Sequence, residues 1–196
     1  MKKILLGMVM GMLMVACGTT KKSQSEEQKA VSILFSADSA YAYCAAQCQY
    51  GPRTMNSEAH EQCGQWIAEK FRQYGCDVEL QQADLKGYDG TILKSTNIIA
   101  KSQKPKANGP RNATLSKREQ PRILICAHWD SRPWADNDPD SANWRKPVMA
   151  ANDGASGVAV MLEIARLLQS NDSASVAVDF VCFDAEDWGM PQWENV

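Results

Sequence analysis

The chain has 196 residues, 44% of them hydrophobic, a formal charge of −2 and seven cysteines. That composition suits one globular domain with a modest core and excludes a fibrous or disordered chain. The near-neutral charge, with no basic face, sets aside a nucleic-acid partner.

The N-terminus, "MKKILLGMVMGMLMVACGTT", places two lysines before an apolar run from Ile4 to Val15 that is too short to span a bilayer and is shaped like an export signal. Cys17 follows a small residue at its end, which resembles the bacterial lipoprotein processing signal, and the polar stretch at 18–30 reads as a tether. The expectation is an exported protein, lipid-anchored in the cell envelope and facing the periplasm. Six cysteines remain, none in a CxxC pair or a structural-zinc spacing. Cys126 and Cys182 read as small buried hydrophobes, and Cys63 with Cys76 is the expected disulfide.

Residues 31–196 then read as a single domain. "SILFSADSAYAYCAAQCQYG" is rich in helix formers and stops at Gly51-Pro52, and "NSEAHEQCGQWIAEKFRQYGC" is an amphipathic helix closed by Gly75. His60, in the first turn of that helix, reads as a solvated surface residue. "CDVELQQADL" and "KSTNIIAKS" flank the turn-prone "KGYDGT" and predict a hairpin. The segment 103–121 is a polar loop with three prolines, and its Asn112-Ala113-Thr114 fits a glycosylation acceptor, a reading that a bacterial leader argues against. "RILICA", "GVAVMLEIARLLQ" and "SVAVDFVCF" follow as strand, helix and strand, a βαβ unit with a buried parallel pair. The predicted fold class is α/β: a three-layer α/β/α domain around a mixed, mainly parallel sheet, with the hairpin at one edge.

Ligands of open α/β sheets bind beyond the carboxyl ends of the strands. Those ends carry "HWD" and "DAED", and "ANDGASG" opens the intervening helix, so His128, Asp130, Asp153, Asp184, Glu186 and Asp187 can converge. Carboxylates gathered with an imidazole suit a divalent cation, above all zinc, and without one they would repel each other. Asp130 is placed to accept the other ring N–H of His128. One of the adjacent Glu186 and Asp187 can bind a metal while its neighbour shuttles protons. Plainer readings stand beside each: Asp153 as a helix cap, Asp130 as a turn residue, Glu186-Asp187 as a solvated strand end.

The residues "AHWDSRPWADNDPD", "ANDGASGVAVMLEIARLL" and "DFVCFDAEDWG", with "DSAYAYCAAQCQYGPR" and "STNIIA" upstream, resemble the zinc aminopeptidase superfamily. Within it they resemble the bacterial glutaminyl-peptide cyclotransferases. The resemblance implies that Asp153 and Asp187 are zinc ligands, that Glu186 is the general acid/base, and that Trp193 lines the substrate pocket. It implies one zinc for a cyclase acting on peptides or proteins with N-terminal glutamine. A two-zinc aminopeptidase would instead add His128 as a ligand of the second ion. The family's domain implies roughly half as much chain again and a further histidine ligand late in it, whereas no histidine follows Asp187 here. The expectation is therefore an incomplete catalytic domain, and a non-catalytic remnant is the alternative from another class.

Overall fold

A computed structural model describes residues 34–103, 122–170 and 176–190. Helix α1 (Ala37–Gln49) starts at Ser36, whose hydroxyl accepts from the Ser39 N–H, and ends before Gly51 at φ 95°. Helix α2 (Glu58–Gln73) starts the same way at Ser57, with acids in its first turn and Lys70 and Arg72 in its last, each complementing the helix dipole. Strands β1 (Asp77–Lys86) and β2 (Ile92–Lys101) pair antiparallel along their full length. The expected hairpin forms, turning at Gly90 with φ 87°.

Strand β3 (Arg122–His128), helix α3 (Ser156–Gln169) and strand β4 (Ala177–Phe183) form the expected βαβ unit, with β3 and β4 parallel, but β3 is largely exposed and Cys126 with it, so only β4 is buried as expected. The sheet order is β1-β2-β4-β3, so β4 enters between the hairpin and β3 and runs antiparallel to β2. The sheet is mixed, with the hairpin at one edge. Among the described residues its parallel pairing is confined to β3 and β4, because the hairpin contributes antiparallel partners only.

Helices α2 and α3 share one face of the sheet. Ile67 and Phe71 of α2 join Val158, Met161 and Leu162 of α3 against Ile98, Ala100, Phe180 and Cys182. The Phe71 and Phe180 rings lie 5.3 Å apart. Helix α1 packs on α3. On the other face Leu124 and Phe183 are 61% and 45% exposed. The described residues thus supply two of the three expected layers. Cys63 and Cys76 are buried free thiols, and burial pushes both well above the ordinary cysteine range. The expected disulfide does not form, because both sulfurs fill the core as small apolar groups. Asn112 lies outside the described residues, and among those described no helix is long and apolar enough to cross a membrane.

Candidate metal centre

Strand β4 ends where the Trp129 N–H donates to the Phe183 carbonyl, and Asp184 then turns the chain inward. The Asp184 carboxylate accepts the Thr96 N–H at 2.6 Å, the Ala185 N–H at 2.9 Å and His60 Nε2 at 2.8 Å. Ala185 is left-handed, φ 63°. The next two N–H groups, of Glu186 and Asp187, donate to the fully buried Asp130 carboxylate at 3.2 and 3.0 Å. Asp130 therefore fixes the acidic pair by its main chain, beyond the expected contact with His128 Nδ1, which measures 3.4 Å.

Asp153 comes from the other side, in a wide turn over Ala151–Ala155 that leads into α3. Its backbone is extended, Gly154 follows at φ 96°, and α3 begins at Ser156 without a side-chain cap, so Asp153 is not the helix cap. A β-carbon on Gly154 would sit 3.0 Å from the Asp130 carbonyl and 3.1 Å from His128 Cε1, so glycine lets this turn lie against the imidazole. Arg53, fully buried, holds the turn to the end of β3. Its guanidinium donates to the carbonyls of Trp129 at 3.1 Å, Met149 at 3.0 Å and Ala150 at 2.8 Å. Gln47 Nε2 adds a bond to the Ala155 carbonyl at 2.9 Å.

Between the two loops stands His128, with Nε2 2.9 Å from Asp153 Oδ1 and Nδ1 3.6 Å from Glu186 Oε2. Ligand atoms of His128, Asp153 and Asp187 all lie within 4.8 Å of one another. Residues 112–191, which hold the whole of this constellation, match peptidase family M28. A crystal structure of Bacteroides thetaiotaomicron glutaminyl cyclase bound to N-acetylhistamine is 43% identical, covers 83% of this chain and 51% of its own, and superimposes with a TM-score of 0.71. Tannerella forsythia glutaminyl cyclase is 42% identical, with coverages of 83% and 51% and a TM-score of 0.71. A Zn-dependent exopeptidase from Parabacteroides distasonis is 42% identical, with coverages of 83% and 50% and a TM-score of 0.70.

The chain is similar to peptidase family M28 over residues 112–191. It spans about half the length of the solved structures it matches. The donor set of this site, two carboxylates and an imidazole, fits a borderline divalent cation. Its electrostatics fit as well. Burial first, and then the Asp130 charge, push Asp187 up to about 6, a cost that a bound cation would relieve. The hydrogen bond to Asp130, assisted by the one to Asp153, holds His128 up to about 9 against the opposing effect of burial.

Of the residues singled out in the sequence, His128, Asp130, Asp153, Glu186 and Asp187 meet, Asp184 instead turns its carboxylate to His60 and Thr96 behind the acidic pair, and Trp193 lies outside the described residues. His60 corrects the sequence reading. It is 5% exposed, bonded to Asp184 and stacked on Trp129 with ring centroids 4.2 Å apart. The overlooked signal is its spacing from Cys63, Gly64, Ile67 and Phe71, which puts it on the buried stripe of α2. Arg53 was also missed, and no local pattern announces it, because its partners are carbonyls 76 to 97 residues away.

Proposed function

We propose that this chain carries the site of a glutaminyl cyclase, which closes the N-terminal glutamine of peptides or proteins to pyroglutamate and releases ammonia. The observation that carries this reading is the gathering of Asp153, Asp187 and Glu186 around His128 in a chain 43% and 42% identical to two glutaminyl cyclases. The glutaminyl cyclases among the similar structures support it. Asp153 and Asp187 would hold one zinc ion, which when bound supplies a Lewis acid to polarise the side-chain carbonyl of the substrate.

The remaining work falls to the protein's own residues. The substrate's α-amine forms the new C–N bond to its own side-chain carbonyl carbon, so the substrate itself provides proximity. Glu186 accepts the proton from the attacking amine and returns it to the departing ammonia as the old C–N bond breaks. Its side chain, 58% exposed, is free to reach substrate while its N–H is anchored on Asp130. Export on a lipid anchor at Cys17 would put the enzyme at a membrane surface facing peptides outside the cytoplasm.

A two-zinc aminopeptidase is the second reading, favoured by the grouping of His128 with both aspartates and by the similarity to a Zn-dependent exopeptidase. Mass spectrometry of a Gln-initiated peptide, incubated with zinc and the protein, separates the two. Ammonia loss supports cyclisation, and free glutamine supports the peptidase. Glu186→Gln should lower turnover by about 10²–10⁴-fold with zinc still bound. Neither product, in a protein that takes up no zinc, would leave the non-catalytic remnant.

A further inference from the structure

Among the described residues Ala185 is one of three non-glycine residues with positive φ, and it directly precedes Glu186 and Asp187. A β-carbon makes that conformation costly, so the surrounding structure must impose it. The Asp184 carboxylate does so by accepting the Ala185 N–H, and its side chain is wholly shielded from solvent. Of its three donors, two are main-chain N–H groups and the third is His60 Nε2. His60 is itself locked. Its ring stacks on Trp129 at an interplanar angle of 19°, and Trp129 Nε1 donates to the carbonyl of Thr96, the residue whose N–H donates to Asp184. Gly64 makes room for this, since a β-carbon there would sit 2.8 Å from Trp129 Cη2.

We infer that His60 is a positioning residue for the Glu186-Asp187 pair. Through Asp184 it holds Ala185 left-handed, and so presents the next two N–H groups to Asp130 and their carboxylates to the metal centre. Without the imidazole donor the buried Asp184 carboxylate turns toward whatever donor it can reach, and Ala185 relaxes. The metal-side part of this inference rests on the proposed function, whereas the part concerning loop geometry does not.

Two measurements on the full chain test it: hydrogen exchange by mass spectrometry without metal, and zinc titration by calorimetry. In His60→Leu the amides of residues 185–187 should exchange about tenfold faster, the loss of one charge-assisted hydrogen bond, while those of 178–182 in β4 keep their protection. Zinc affinity should fall about tenfold, as for loss of an outer partner of a ligand. His60→Gln, which keeps an N–H near the Nε2 position, should restore both. Adding Ala185→Gly to His60→Leu should recover most of the zinc affinity, because glycine takes the left-handed conformation unaided. Unchanged exchange at 185–187 in His60→Leu overturns the inference. So does a Gln variant as impaired as Leu, or a β4 that loses protection in both variants, which would make His60 core packing only. Wild-type protein that takes up no zinc sinks the proposed function instead, and the exchange arm still decides the role of His60.

Discussion

The two loops that meet at His128 are held in opposite ways. After β4, main-chain N–H groups of residues 185–187 donate to the buried carboxylates of Asp184 and Asp130. Before α3, main-chain carbonyls of Met149, Ala150 and Ala155 accept from the buried side chains of Arg53 and Gln47. The consequence lies in the ligands themselves. Asp187 is 5% exposed and stands beside the Asp130 charge, whereas the Asp153 side chain is 78% exposed and leans on His128. One carboxylate is built at an electrostatic cost that a cation recovers, and the other is an ordinary surface acid brought into range by the shape of its turn.

The contrast breaks most visibly at Arg53. Arg53→Met removes the donor from three carbonyls, two of them on the turn and one on the end of β3. At about 1–3 kcal/mol for each buried group left unpaired, the loss should reach several kcal/mol, enough to unfold a marginal domain. Urea unfolding checks it, and a midpoint within experimental error of wild type would show that the turn holds itself.

Asp130→Asn sharpens the comparison from the other side. It leaves a carbonyl oxygen for one of the two N–H groups but removes the charge. That charge both raises Asp187 and anchors His128. Zinc affinity should drop about 10–100-fold, the usual consequence of altering the partner of a ligand. The fold should survive, and calorimetric titration reads the difference. An affinity as tight as wild type would reduce Asp130 to a loop fastener.

Much of this was legible in the sequence because it is local. The helix periods, the hairpin alternation and the strand–helix–strand order each repeat within a short window, and the acids cluster wherever a predicted strand ends. What escaped is non-local. The insertion of β4 beside β2 is a pairing between Ile98–Lys101 and Asp179–Cys182, which no window spans. The partners of Arg53 are likewise set by tertiary geometry. His60 is different, because its place on the stripe with Ile67 and Phe71 was readable. A preference for histidine at the surface outweighed the spacing, although a buried carboxylate 124 residues away was waiting for it.

The smallest expected effect is the pH response of the metal-free protein, where His128 and Asp187 titrate in the same direction. His128 is raised from 6.5 to about 9 in the folded state, so its contribution is fully present below about pH 6.5 and is lost as pH rises through about 9. Asp187 is raised from 3.8 to about 6, so the folded state keeps a proton that the unfolded chain releases. That contribution is present below about pH 3.8 and is lost on rising through about 6. Stability without metal should therefore fall in two steps as pH rises, read as the urea midpoint in chelator. His128→Gln should erase the upper step and Asp187→Asn the lower. Zinc should reverse the slope, since its ligands bind it deprotonated and proton release drives binding upward with pH. A metal-free midpoint that is flat from pH 6.5 to 9 would mean that the Asp130–His128–Asp153 chain of contacts does not hold the imidazole charged.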